Sequence, residues 1–197
     1  MNTLVPKYLT FGADIKNIEF KENIVIKTFK NKNGYQKTIY FYNLIDTTFT
    51  CFPELISNNE NQLQIITSYC GDLVNLYNLP DNWKEQINYL RHFFLIKKIL
   101  ILDIRFMPHT PYVINNLCIR KDKIYLVDLT LYNEKDEKYI NNYFDNLILN
   151  IELRLRNRDN MLFLFILHII LEFYRLINDL FEKIFHFYNH VTYRKYS

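Results

Sequence analysis

Three oxygen-bearing side chains succeed one another late in the chain: Asp103, Asn116 and Asp128. Asp128 closes the apolar run Ile124-Tyr-Leu-Val127, so its carboxylate falls at a strand terminus. Asn116 opens a second strand-like run, Leu117-Cys-Ile119, and Arg120-Lys-Asp-Lys123 joins the two runs. A hairpin of this register brings Asn116 and Asp128 to the same end. One carboxylate and one amide there form the kind of oxygen set that Mg²⁺ accepts when phosphates supply its remaining ligands. Asn115 is an adjacent alternative to Asn116. Asp103, placed between a helical segment and a loop, could orient an attacking hydroxyl. Arg105 could pair with Asp103 or with a transferring phosphate.

A triphosphate also needs a cation to position it. Lys27 is the candidate, because it follows Ile24-Val-Ile26 inside an otherwise apolar run. A lysine buried there without a partner would cost several kcal/mol. The alternative is an edge-strand lysine facing solvent.

These residues must be positioned by two kinds of element. Residues up to about 75 alternate in strand fashion: Tyr8 to Phe11, Ile15 to Phe20, Asn23 to Phe29, Pro53 to Ile56 and Leu63 to Tyr69. Turns are expected at Gly12-Ala13-Asp14 and Glu22-Asn23, and loops at Asn31 to Gly34 and Ser57 to Asn61. Tyr35 to Ile45 is expected as one inserted helix, with Ile39, Tyr42 and Leu44 or Ile45 on its apolar side. From Trp83 the period becomes helical: Trp83, Ile87, Leu90 and Phe94 recur on one face, and Asp81 or Asn82 can cap the start. Pro108 and Pro111 enforce a loop after Asp103. Asn133 to Lys138 reads as charged and solvated, and the remainder as two or three helices breaking near Arg156 to Asp159. Strands first and helices second predict an α+β fold of two lobes meeting near Gly71. The expected division is a β-rich lobe over 1–71 and a helical lobe over 72–197, with the loop 102–130 carrying the chemistry.

The bulk properties narrow the function. The chain has 197 residues, of which 49% are hydrophobic, enough for one compact unit with a real core. The net charge of +3 is small, and bases and acids are interleaved, which argues against a nucleic-acid partner. Lys97, Lys98 and Arg91 are expected on the solvent side of a helix. Cys51, Cys70 and Cys118 are odd in number and widely spaced, so neither a disulfide framework nor a zinc site is indicated. A reducing intracellular compartment, the cytoplasm, is expected. Met161 to Leu171 is the most apolar segment but falls short of the ~20 residues that span a bilayer. It is expected as a buried helix rather than a membrane span. The stripe Leu162, Phe165, Ile169, Leu171, Leu176, Leu180, Ile184 and Phe187 is likewise expected in the core, and the last five residues as a frayed tail.

The order Ile26-Lys27, Ile65-Ile-Thr-Ser-Tyr-Cys-Gly71-Asp72-Leu73, Asp103, Asn116-Leu-Cys-Ile119 and Leu126-Val-Asp128 resembles a small protein-kinase-like domain over about residues 8 to 132. The flavour is that of the reduced kinases of large DNA viruses and phages and their lipopolysaccharide- and aminoglycoside-kinase relatives. The resemblance implies ATP and Mg²⁺ as cofactors and a protein or small-molecule hydroxyl as acceptor. It implies that Lys27 contacts the α- and β-phosphates, and that Phe11-Gly12-Ala13 is a reduced phosphate cover. The backbone of Ser68 to Cys70 would bond adenine, with Asp72 near the ribose. Asp103 would be the catalytic aspartate, and Asn116 and Asp128 the metal ligands. The pattern departs from the family in having no Glu between Glu22 and Glu54, and Ile101-Leu102 before Asp103. A catalytically inactive pseudokinase serving as a binding or scaffold module is the alternative. An unrelated α+β interaction protein is the third reading.

Overall fold

The computed structural model describes the backbone of residues 14–101, 104–107, 110–129 and 132–193. The expected strand Tyr8 to Phe11, Gly12, Asp103 and the tail from 194 onward lie outside these residues. The chain is α+β. Strand β1 (Ile15–Lys21) pairs antiparallel with β2 (Ile24–Phe29) through a turn at Glu22-Asn23. Helix α1 (Lys32–Leu44) then crosses before β3 (Leu55–Asn59) and β4 (Gln64–Ser68) complete a four-stranded antiparallel sheet of order β1-β2-β4-β3. The insertion of α1 puts β4 beside β2, so the strands do not form a simple meander.

Two local readings change. Asn31 to Gly34 is not a loop: Asn31 is the N-cap of α1, and its side chain accepts a hydrogen bond from the Gly34 N–H at 2.9 Å. The capping side chain starts the helix earlier than its apolar periodicity suggests. Consequently α1 buries Tyr35, Thr38 and Phe41, while Ile39 and Tyr42 are only half-buried. Residues Ser57 to Asn59 also belong to β3 rather than to a loop, because their backbone pairs with β4 although their side chains are exposed.

Beyond the sheet come β5 (Asp72–Asn75), α2 (Trp83–Lys97), β6 (Ile99–Ile101), β7 (Phe106–Met107), β8 (Thr110–Arg120), β9 (Lys123–Leu126) and β10 (Tyr132–Glu134). Helices α3 (Glu137–Arg156) and α4 (Met161–Tyr193) end the described chain, separated where Arg156 to Asp159 predicted a break. Helix α2 buries Ile87, Leu90, Phe93 and Phe94, as its period requires. Asn82 is its N-cap residue, but its side chain accepts from Gln86 Nε2 instead of capping a backbone N–H. Arg91 is not on a solvent side: it bonds Asp145 at 2.8 Å and lies over the Phe144 ring, joining α2 to α3. Asn133 to Lys138 is largely exposed, as expected, and within it β10 pairs with β6 and Asp136 caps α3.

One apolar cluster unites α2, α3 and the strands β5 to β9 with Phe41 and Phe52; a smaller one, Ile15, Phe29, Tyr35 and Ile65, sits between the first sheet and α1. Helix α1 therefore faces both clusters. The largest departure from expectation is α4. Leu164 and His168 are buried, but Leu162, Phe165, Ile166, Ile169, Ile170, Phe173, Leu176 and Leu180 are exposed. Of the expected stripe, Leu162, Phe165, Ile169, Leu176 and Leu180 are therefore not core and Leu171 is half-buried, while Ile184 and Phe187 lie outside the described side chains. Among the described residues no helix is long and apolar enough to cross a membrane.

Candidate functional site

A cleft opens between the first sheet and the β8–β9 hairpin. Its empty space, open mouth included, is about 930 Å³. Its roof is Ile15, Ile18 and Phe20 of β1 with Val25 and Lys27 of β2. Its back is the connector from Thr67 to Leu73, and its floor is Asn115, Asn116, Cys118, Val127 and Asp128. Six residues expected to serve one site, Lys27, Ser68, Cys70, Asp72, Asn116 and Asp128, all line it. Asp103 and Gly12 lie outside the described residues.

Lys27 is not on an edge strand. Its backbone faces Ile18 of β1 on one side and Ile65 of β4 on the other. The half-buried side chain crosses the cleft and its Nζ donates to the Val127 carbonyl at 2.5 Å. A charge-assisted bond of this kind offsets part of the desolvation cost of the ammonium. It also places the cation beside the backbone of Asp128.

The hairpin forms as its sequence predicts. Leu117 faces Leu126 and Arg120 faces Lys123, with Lys121 and Asp122 at the turn. Both turn residues have positive φ, 50° and 58°, the signature of a type I′ turn, whose twist matches that of the strands. At the other end the Val127 N–H donates to the Asn116 carbonyl at 2.9 Å, so Asn116 and Asp128 do share one end. Asn116 sits at φ 62°, a left-handed conformation that asparagine tolerates better than most residues. There the register of β8 against β5 breaks, between Leu73–Cys118 and Asn75–Val113. This bulge re-aims the residues around Asn116, a use of irregularity common beside functional sites. Asn115 lines the same floor, and its N–H donates to the Arg105 carbonyl at 2.7 Å.

The connector is held from both sides. Gly71 has φ 88°, and a Cβ there would fall 1.9 Å from the Ile119 carbonyl oxygen, so only glycine fits. The Ser68 N–H donates to the Glu54 carbonyl and the Tyr69 N–H to the Asn23 carbonyl. Those two amides are spent on backbone partners within the first sheet and its turn, and Cys70 and Gly71 line the cleft beside them. Tyr69 Oη donates to Asp72 at 3.3 Å, fixing that carboxylate at the rim. Burial pushes the Cys70 thiol up to about 11 and the Cys118 thiol up to about 12, so both are neutral at neutral pH.

Several residues that matter here have partners that the sequence does not name. Arg120, at the start of the segment that joins the two runs, donates to the Tyr69 carbonyl and to Asn23 Oδ1, each at 2.8 Å, pinning the hairpin to the connector and to the β1–β2 turn. Tyr143 of α3 accepts from the Ile104 N–H and donates to the Ile104 carbonyl, at 3.1 and 2.9 Å, beside position 103. Arg105 lies 3.6 Å from Glu172 of α4, a partner no local pattern predicts. Only the length of Arg120 and its place next to a turn hinted at a tie, and this falls short of naming the partner.

The oxygen set of Asn116 and Asp128 suits Mg²⁺ only when phosphates complete the shell. Among the described residues no group of three or more His, Cys, Asp or Glu side chains is arranged to hold a metal by itself. No protein-family model matches the chain, and no curated protein is significantly similar to it.

Proposed function

We propose that the chain is an ATP- and Mg²⁺-dependent phosphotransferase of the protein-kinase-like kind, acting on a protein or small-molecule hydroxyl. The observation that carries this reading is the contact of Lys27 Nζ with the Val127 carbonyl across the cleft. It holds a cation from the first sheet against the hairpin residue that precedes Asp128, in a cleft that Asn116 and Asp128 also line. A triphosphate needs that juxtaposition. The element order supports it too: sheet with one inserted helix, connector, helix, hairpin, and then a strand, β10, returning to β6.

In this reading the apolar faces of Ile18 and Val25 cover a base, and the Cys70–Gly71 backbone offers it hydrogen bonds. Asp72 lies at the ribose end, and Lys27 neutralises phosphate charge. Asn116 and Asp128 would hold Mg²⁺, which supplies charge neutralisation at the phosphates when bound. Asp103 would orient the acceptor hydroxyl.

One observation favours a second reading, a nucleotide-binding module without transfer. Helix α1 contains no acidic residue, and its buried positions are Gly34, Tyr35, Thr38 and Phe41, so no carboxylate of that helix can orient Lys27.

Calorimetric titration of ATP with and without Mg²⁺, on wild type and Asp128→Asn, tests both. Mg²⁺-dependent binding weakened about tenfold or more in Asp128→Asn, a loss of about 1.4 kcal/mol, is expected. Absence of binding at millimolar ATP would remove both readings. Binding without release or transfer of the labelled γ-phosphate would select the second.

A further inference from the structure

Helix α4 meets the body along one line of side chains. Leu164 and His168 are buried, and Leu167, Leu171 and Glu172 are half-buried, a spacing that puts all five on one helix face. His168 stands at the centre of that line, and imidazole is the side chain whose charge changes near neutral pH. Its Nδ1 faces Arg154 Nη2 of α3 at 3.4 Å, and both side chains are almost fully buried. A guanidinium carries donors only, so the ring nitrogen that meets it is an acceptor and the imidazole is neutral, with its proton on Nε2. Arg154 is itself fixed: its Nε and Nη1 donate to Asn150 Oδ1 and to the Pro111 carbonyl, at 2.7 and 2.6 Å. It cannot turn away from His168 without abandoning both.

We propose that His168 is a proton-operated latch: α4 docks on the body while the imidazole is neutral, and protonation of His168 releases the helix. A second proton on the ring removes the acceptor and sets two cations against each other where solvent hardly reaches. Among the described residues, the other charged groups around this pair are Glu172, one turn further along α4, and Arg105, before β7. The Glu172 carboxylate lies 3.6 Å from Arg105 and its field also reaches Arg154, so it already answers two guanidinium groups and would have a third cation to balance. Strands β7 and β8 contribute the Phe106 ring and the Pro111 carbonyl, neither of which titrates. The turn before α4 is tied to the body separately, by Tyr77 Oη donating to the Arg158 carbonyl at 3.0 Å. The start of α4 is held by its own bond, the Phe163 N–H donating to Asn160 Oδ1 at 3.0 Å. Neither bond involves the docking line, so α4 can leave it as a unit. The docked state excludes a proton that the released state binds. Docking is therefore at full strength above the ordinary imidazole value, ~6.5, and weakens about tenfold per pH unit below it. The latch does not depend on what the cleft binds.

Hydrogen exchange of the full chain, read by mass spectrometry and corrected for the intrinsic pH dependence of exchange, tests it at about pH 7.5 and about pH 5.5. The amides of 161–172 should lose about tenfold in protection at the lower pH, while those of α2 keep theirs. His168→Asn and His168→Gln keep an acceptor and take no proton, so at least one of them should hold α4 at both pH values, and neither should show the step. Equal protection of 161–172 at both pH values in wild type would overturn the proposal, and so would a loss shared equally by α2. A step that persists in either variant, or α4 released at both pH values in both variants, would overturn it as well.

Discussion

At the scale of single residues, two positions fix the cleft's geometry and its chemistry. Gly71 holds a left-handed backbone against the Ile119 carbonyl. Gly71→Ala should therefore destabilise the fold by about 2 kcal/mol or more, through strain and a forced shift of the hairpin. Urea denaturation measures the loss, and an unchanged midpoint would contradict the close approach. The thiols give a pH prediction. Burial raises Cys70 to about 11 and Cys51 and Cys118 to about 12, from an ordinary value of 9.0. The unfolded chain thus releases these protons first as pH climbs. Their contribution is fully present below about pH 9 and is lost as pH rises toward the folded values, at roughly 1 kcal/mol per thiol near pH ~10. Denaturation midpoints measured at mildly and strongly alkaline pH should fall accordingly. Thiol-reactive dye at neutral pH should label the folded chain far more slowly than the denatured one. Lys27, Asn116 and Asp128 were legible at this scale because each sits at the end of, or inside, an apolar run that alternation makes visible. Arg120 and Tyr143 were not, because their partners are 51 and 39 residues away in sequence.

At the scale of elements, the strands and helices follow from period and punctuation, and the errors fall where a cap or a pairing overrides them. The polar neighbours of Asn31 suggest a loop, whereas its side chain begins α1 by accepting from Gly34. Asn31→Ala should cost about 1 kcal/mol, seen as a lower thermal midpoint, and Asn31→Asp should restore most of it. The hairpin is the opposite case. Its pairing could be read in advance because two apolar runs are joined by only four residues, Arg120 to Lys123, and a one-residue slip would turn every side chain over. The tail of β3 was lost for the converse reason: a strand whose side chains are exposed shows no apolar alternation, and only its pairing with β4 reveals it.

At the scale of the whole molecule, the long-range ties decide how α4 sits. Arg154 of α3 is almost fully buried and donates to the Pro111 carbonyl at 2.6 Å and to Asn150 Oδ1 at 2.7 Å. It stacks over the Phe106 ring at 4.1 Å and faces His168 Nδ1 of α4 at 3.4 Å. Burial pushes its pKa down to about 10, so it still carries its charge at neutral pH. Arg154→Met should destabilise by about 2–4 kcal/mol, because it strips the Pro111 carbonyl and the Asn150 amide of their donor and removes the contact with α4. Chemical denaturation checks the size, and a loss under 1 kcal/mol, roughly that of one exposed hydrogen bond, would show that the network matters little. The sequence by itself determined the α+β class, the order of strands before helices, the hairpin that joins Asn116 to Asp128, and the lysine in its apolar strand. Those are local facts, set by period, capping and chain direction. Only the tertiary structure decided that Lys27 lies in a central strand and reaches Val127, that the connector's Ser68 and Tyr69 amides serve the sheet, and that the apolar face of α4 looks outward. Hydrophobicity tells a helix that it must bury a face; which surface covers that face depends on how the rest of the chain has already packed.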